Sequence, residues 1–170
     1  MIESLNEKNM RIGLGIDTHQ LIPGKSMRLG GVDIPSTVSI KAHSDGDIIY
    51  HAIADALYGA MSMGDIGEHF PDTDPKNKDL DSGKIIEDAA TAIVAKEYNL
   101  MNMDVVLLLE SPNISKQKEQ MKDNIARILI NCGMNDVGKH NINIKASTSE
   151  SLGFIGKGEG VTCYCVISLA

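Results

Sequence analysis

Two histidines, two carboxylates and a hydroxyl fall within ten residues in the stretch Ala42-His-Ser-Asp-Gly-Asp-Ile-Ile-Tyr-His51. Upstream, Asp17 and His19 form a D-x-H pair. With His51 they make two imidazoles and one carboxylate, a donor set of the kind that holds a catalytic zinc and leaves a fourth position open. Manganese tolerates the same donors. A divalent ion there would polarise a phosphoryl oxygen and offset charge building on a transferring group. Glu150 and the aspartates of the run from Asp65 to Pro75 are candidates for a second, harder ion such as magnesium, which prefers oxygen ligands and keeps waters and substrate phosphates in its shell. Both readings require distant segments to meet. Otherwise Asp17 and His19 are a hydrogen-bonded surface pair, and His51 belongs to a solvated helix face.

The elements that must position these groups follow from periodicity. From Asp47 onward, Ile48, Ile49, Ala52, Ile53, Ala56, Leu57 and Ala60 recur at helical spacing, which predicts an amphipathic helix packed on a core. Asp47, His51, Asp55 and Tyr58 then form one titratable stripe, starting at a helix N-terminus whose free N–H groups suit an anion. Arg11 to Asp17 reads as a strand with Ile12, Leu14 and Ile16 on one face, and Gly13, Gly15 and Asp17 on the other, where the glycines permit close approach. If the strand continues through Thr18, His19 points the same way as Asp17. Gly30-Gly31 suits a tight hairpin between Ser26–Leu29 and Val32–Ile34, with Pro35 ending the second strand.

The glycine- and methionine-rich exit from Gly59 leads into Asp65–Pro75, read as a loop that either covers the site or merely connects. Ser82 is read as the cap of a second helix with Ile85, Ile86, Ala89, Ala90, Ile93 and Val94 inward. Asp104 to Leu109 reads as a central strand covered on both faces. A third helix from about Ser115 places Met121, Ile125, Ile128, Leu129 and Cys132 inward and stops at Gly133. Met134 to Asn141 reads as a polar loop, and Ile142 and Ile144 resume a strand. Gly153 to Gly160 holds four glycines in eight residues, permitting tight turns that offer N–H groups to phosphate without the ending of a nucleotide P-loop. A last strand alternates with Val161, Cys163, Cys165, Ile167 and Leu169 on one face.

The totals fit one soluble domain: 170 residues, 42% hydrophobic and 23% charged. No apolar run approaches the length of a membrane span, and Met1 to Met10 does not resemble a secretion signal, so a cytoplasmic protein is expected. A net charge of −7 argues against a nucleic-acid surface, and two Phe with no Trp argue against base stacking. A small phosphorylated ligand, held by a metal, backbone N–H groups and a few lysines or hydroxyls, is compatible with both. Cys132, Cys163 and Cys165 form no CxxC pair and read as reduced core residues.

Gly15-Ile-Asp-Thr-His19, Ala42-His-Ser-Asp-Gly-Asp47, His51, Asp65-Ile-Gly67, Phe70-Pro-Asp-Thr-Asp74, Ser147-Thr-Ser-Glu150 and Gly153-Phe-Ile-Gly-Lys-Gly-Glu-Gly160 occur in one order over residues 11 to 169. Together they resemble the 2-C-methyl-D-erythritol 2,4-cyclodiphosphate synthase family. The resemblance implies a compact α/β (α+β) domain over residues 11–170, after a short N-terminal extension of residues 1–10. It further implies a mixed sheet with helices on one side, and a homotrimer with sites between subunits. The implied reaction, in the non-mevalonate isoprenoid pathway, closes 4-diphosphocytidyl-2-C-methyl-D-erythritol 2-phosphate into a cyclic diphosphate and releases CMP.

Position by position, the resemblance assigns zinc (or manganese) to Asp17, His19 and His51, and magnesium (or manganese) to Glu150 and the substrate diphosphate. His43 and Thr148 match transition-state stabilisers, with Ser44 near phosphate. Asp65, Ile66 and Gly67 would meet the methylerythritol part, and Phe70, Pro71, Asp72, Thr73 and Asp74 form a flexible loop. Leu109, Pro112, Asn113, Ile114, Ser115, Ser147 and Thr148 match the cytidine and phosphate pocket, and Thr18, Ser149, Phe154 and Lys157 complete the implied substrate contacts. The chain departs from the family pattern at Asn113-Ile114, where Lys-Met is common, at Lys157, where Arg is common, at Ile16, where an aromatic is usual, and in a longer segment at 134–141. A metal-dependent phosphoesterase and a trimeric metal- or nucleotide-binding protein without turnover are the competing readings.

Overall fold

The computed structural model describes residues 9–71, 73–77 and 80–170. Most of the expected N-terminal extension, and Asp72 of the loop, lie outside the described residues. The chain runs β1 (Arg11–Pro23), β2 (Ser26–Leu29), β3 (Val32–Pro35), β4 (Val38–Ile40), α1 (Ile48–Ala60), α2 (Ile66–His69), α3 (Ser82–Ala95), β5 (Leu100–Leu108), α4 (Lys118–Asn131), β6 (Ile142–Ser147), α5 (Gly153–Gly156) and β7 (Gly160–Leu169). Five strands form one mixed sheet in the order β4-β1-β7-β5-β6, with only β5 and β6 parallel, and β2–β3 is a separate hairpin. Helices cover one face, as the expected α+β class requires.

The join between β1 and α1 sets the geometry of the whole domain. A Cβ on Gly13 would lie 1.8 Å from the Ala56 carbonyl oxygen, and one on Gly15 would lie 2.0 Å from that of Ala52. Only glycine on the strand and alanine on the helix let the two backbones come this close. Ile48, Ile49, Ile53 and Leu57 of α1 are fully buried, each worth about 1.5–3 kcal/mol of transfer free energy. Val161, Cys163, Cys165, Ile167 and Leu169 of β7 meet the helices from the sheet side, also fully buried.

Among the described residues, nothing covers the opposite face. Ile12, Leu14 and Ile16 of β1 are 63%, 58% and 49% exposed, and Tyr164 and Val166 of β7 are exposed beside them. The strand β1 therefore buries its glycine face and shows its isoleucine–leucine face.

Several local expectations change. Asp47 belongs to no solvated stripe: it is fully buried as the N-cap of α1, accepting N–H groups from Tyr50 at 3.2 Å, Gly30 at 2.8 Å and Gly31 at 2.6 Å. The helix N-terminus thus already holds an anion, this chain's own carboxylate, and Gly30 and Gly31 aim their N–H groups at it from a positive-φ turn. Asp81, accepting from Gly83 N–H at 2.9 Å, caps α3 in place of Ser82, which is the first helical residue. The strand β5 begins at Leu100, and its second face is only half-covered at Asp104, Val106 and Leu108, so covering on both faces does not hold within one protomer. The third helix starts at Lys118 after a turn from Ser115. Short helices occupy parts of both presumed loops, at Ile66–His69 and Gly153–Gly156. Within 134–141, Met134 and Val137 are buried, which ties this polar segment to the core. Cys163 and Cys165 are buried free thiols, whereas Cys132 is only partly buried.

Candidate active site

The two ends of the chemistry meet because β1 carries Asp17 and His19 on its helix-facing side, and α1 lies against that side with His51 in its first turn. Asp17 Oδ2 is 2.9 Å from His51 Nδ1 and 3.0 Å from His19 Nε2, and the two ring nitrogens are 3.4 Å apart. Tetrahedral zinc with bonds of about 2.0–2.1 Å needs donor-to-donor edges of about 3.3 Å. The triangle fits a divalent ion with displacements of a few tenths of an ångström. Burial works to raise the Asp17 pKa, but hydrogen bonds and charge from His19 and His51 outweigh it and hold the carboxyl well below the usual range. The Thr18 N–H donates to Asp17 Oδ1 at 2.8 Å, fixing the carboxylate's other oxygen. The Thr18 side chain points to the opposite sheet face, where it hydrogen-bonds Thr162.

A cavity of about 450 Å³ opens beside the three donors. Lys41, Ala42, His43 and Ser44 form one wall, while Ile66, Gly67, Phe70 and Pro71 form another, with Asp55 between them. Asp55 Oδ1 accepts the Ile66 N–H at 2.9 Å, so α1 and α2 share one wall, and burial pushes the Asp55 pKa upward. Tyr58 stacks on His69 at 3.9 Å between ring centroids, a second tie between these helices, and donates to Asp88 of α3 at 2.8 Å. Asp65 is the cap of α2, accepting from Glu68 N–H at 3.1 Å, and stands outside the cavity lining. Beyond Pro71, Thr73 is exposed, Asp74 accepts the Lys76 N–H at 3.0 Å, and Asn77 donates to the Pro71 carbonyl at 2.9 Å.

The late motifs gather elsewhere. Leu109, Pro112, Asn113, Ile114, Ser115, Ser147 and Thr148 line a separate pocket of about 110 Å³ with Glu110, Lys118 and Ala146. Ile114 is buried and serves as a floor, and Asn113 accepts the Ser115 N–H at 2.9 Å. Thr148 donates to Glu150 Oε1 at 2.8 Å, and Glu110 Oε1 accepts from Ser149 N–H at 2.8 Å, holding the turn in which Glu150 and Ser151 adopt φ values of 53° and 63°. Phe154 packs over Gly160 and stays 47% exposed, and Lys157, the cap of α5, is also exposed. Thr18 pairs with Thr162, Thr162 with Leu108, and Leu108 with Ser147. Three strand spacings therefore put Ser147 about 14 Å from Thr18. Within one protomer the metal-donor cavity and the late-motif pocket are separate.

Sequence reasoning missed Lys41, Lys118 and the pair Asp45–Ser82 as site components, and gave Glu110, inside the Leu109–Ser115 run, no part in holding the Ser149 turn. Lys41 directly precedes the Ala42–Asp47 motif and could have been read with it. Asp45 with Ser82, and Glu110 with Ser149, carry no local signal, because the pairs join segments 37 and 39 residues apart in sequence.

Residues 10–170 match the YgbB family. The chain is 44% identical over 157 residues to a 2-C-methyl-D-erythritol 2,4-cyclodiphosphate synthase of Chloroherpeton thalassium, covering 92% of this chain and 96% of that one. Among solved structures it is similar to the IspF of Plasmodium falciparum in complex with CDP, with 34% identity, a TM-score of 0.80, and coverage of 95% and 96% of the two chains. It also matches the bifunctional IspDF of Campylobacter jejuni with 37% identity and a TM-score of 0.86 over 95% of its own length, and it spans 42% of that longer protein. Among the described residues, no helix is long and apolar enough to cross a membrane.

Proposed function

The chain belongs to the YgbB family of 2-C-methyl-D-erythritol 2,4-cyclodiphosphate synthases, and on that premise we propose how its residues carry out the reaction. The enzyme is a lyase of the non-mevalonate isoprenoid pathway that converts 4-diphosphocytidyl-2-C-methyl-D-erythritol 2-phosphate to the 2,4-cyclodiphosphate and CMP. An oxygen of the 2-phosphate attacks the β-phosphorus, the bond from that phosphorus to the bridging oxygen breaks, and CMP leaves with the electron pair. No water is consumed and no covalent protein intermediate is needed. The protein's part is to hold the two phosphates in line and to stabilise charge.

The observation that carries this reading is the donor triangle of Asp17, His19 and His51 opening on a cavity that also presents Lys41 and His43. These three would hold zinc or manganese, which supplies a Lewis acid for the phosphoryl oxygens. His43, exposed on the cavity wall, is placed to donate to a phosphoryl oxygen, and Lys41 adds a positive charge beside it. Thr148 serves as the second stabiliser, and Glu150 with the diphosphate would bind magnesium or manganese. A single carboxylate in an open turn is the usual protein share of such a site. Ser44, Ile66, Gly67, Phe70 and Pro71 shape the methylerythritol end, and the pocket from Leu109 to Ser115 takes the cytidine. The remaining assignments, Thr18, Asp65, Asp72, Thr73, Asp74, Ser149, Phe154 and Lys157, belong to the same substrate reading.

The working unit is a homotrimer with each site completed by a neighbour. Two features support this: the metal-donor cavity and the late-motif pocket stand about 14 Å apart across three strand spacings, and the apolar face of β1 and β7 has no cover among the described residues of the protomer. Phosphorus NMR of an incubation with substrate tests the reaction. Cyclic diphosphate with CMP is expected. A linear bisphosphate would instead make the protein a hydrolase, and unchanged substrate a binding module. Co-expression of His51→Ala with a variant disrupted at Pro112 to Ile114 tests sharing. Mixed assemblies should regain partial activity, and none would return if each site were built within one chain.

A further inference from the structure

Behind His51, on the side away from the donor triangle, lies a chain of polar groups for which the reaction itself has no use. His51 Nε2 is 2.9 Å from Ser82 Oγ, and the Ser82 hydroxyl donates to Asp45 Oδ1. The Ser82 N–H reaches Asp45 Oδ2 at 3.3 Å. Arg28 Nε, a buried atom with no hydrogen-bond partner among the described residues, forms an ion pair with the same Oδ2 at 3.3 Å. Ser82 itself is fully buried, so its hydroxyl is held within this chain and away from water.

An imidazole that ligates through Nδ1 keeps its proton on Nε2, and an acceptor at Nε2 fixes the ring and raises its basicity. A serine hydroxyl is ambiguous by itself, since it donates or accepts. Asp45 removes the ambiguity: as a carboxylate it only accepts, so the Ser82 proton points to Asp45 and a lone pair of Ser82 Oγ faces His51. Ser44 Oγ, 3.2 Å from Nε2, is the weaker partner and also accepts the Gly46 N–H at 3.2 Å.

We propose that Ser82 and Asp45 are positioning residues that accept the His51 Nε2–H and hold the ring with Nδ1 aimed at the donor triangle, with the Arg28 guanidinium paired to the Asp45 carboxylate. The inference rests on the reading of Asp17, His19 and His51 as metal ligands. It adds that part of the site's affinity is set from the start of α3, on the far side of α1. It also gives the Asp45 of the Ala42–Asp47 motif a task apart from substrate.

The test uses the full-length protein. Proton and nitrogen-15 NMR of the zinc-loaded protein reads the His51 Nε2–H, its shift and its exchange with water. Zinc affinity is measured by competition with a chromophoric chelator. The native protein should show a downfield Nε2–H that exchanges slowly. Ser82→Ala should move that resonance upfield, speed its exchange and weaken zinc binding by about tenfold, the low end for loss of an outer-shell partner, while Ser82→Thr restores all three. If Ser82→Ala fails to fold, Asp45→Asn reads the same chain, with a loss of a few-fold because an amide is a weaker acceptor. An unchanged Nε2–H resonance in Ser82→Ala overturns the proposal, even with weakened zinc binding, since the effect would then be one of packing. A native protein that binds no zinc overturns the metal reading itself, a separate outcome.

Discussion

Replacing Gly15 with alanine should dismantle the metal site without touching a ligand. The new Cβ would stand 2.0 Å from the Ala52 carbonyl oxygen and 2.7 Å from the Ala56 nitrogen, both backbone atoms that no rotamer change can move. A carbon and a carbonyl oxygen need about 3.3 Å, so α1 must retreat by about 1.3 Å. His51 directly precedes Ala52 and travels with it, whereas Asp17 and His19 stay on β1. The edges joining His51 to its partners, now 2.9 and 3.4 Å, would open well past the spacing of a tetrahedral ion. Overpacking of this kind costs about 1–3 kcal/mol of stability, and an ångström of misplacement costs about 100-fold in turnover. Urea unfolding gives the first quantity, and chelator competition with steady-state rates gives the second. Gly59→Ala is the internal control, because its Cβ meets only the Leu14 carbonyl oxygen at 3.9 Å, and alanine in a helix gains up to about 1 kcal/mol over glycine. Native stability together with native zinc affinity in Gly15→Ala would refute the close-approach reasoning.

His51→Ala should keep its circular dichroism and lose bound zinc with nearly all turnover, and full zinc occupancy in the folded variant would remove His51 from the ligand set. Glu150→Gln should retain zinc but raise the magnesium concentration needed for half-maximal rate, since an amide gives less charge to a hard cation; an unchanged titration would make Glu150 structural. The Lys145 ammonium, hydrogen-bonded across β5 and β6, is the main influence holding the Asp104 carboxyl below its ordinary pKa. A depressed carboxyl stabilises the fold above its unfolded-chain value and loses that contribution as pH falls through the lowered one. Lys145→Ala should therefore move the Asp104 carbon-13 titration upward, and an unmoved midpoint would assign the depression to Asn143.

The sequence revealed the fold best where one residue property repeated. Alternation in β7 and the helical stripes of α1 and α3 fixed faces correctly, and Gly30-Gly31 marked the hairpin. It was least informative where two segments share one group. Asp47 looked like a member of a polar stripe, because nothing local shows that the hairpin turn aims two N–H groups at it. Ser82 looked like a cap, but the cap is Asp81 and the serine faces His51. The donor triangle was legible because catalytic zinc requires few donor types. The distance between the metal-donor cavity and the late-motif pocket was not, since strand order is absent from residue spacing.

The alternation of β1 binds two properties to one strand: odd positions Gly13 to His19 serve the helix and the metal, and even positions Ile12 to Ile16 serve the bare face. A single-residue insertion or deletion between Arg11 and His19 would exchange these sets, so one such event would remove the ligands and make the outer face polar or bare of side chains. Length variation should therefore be excluded from this strand across homologous chains. It should collect in the connection at 134–141, where only Met134 and Val137 are tied to the core.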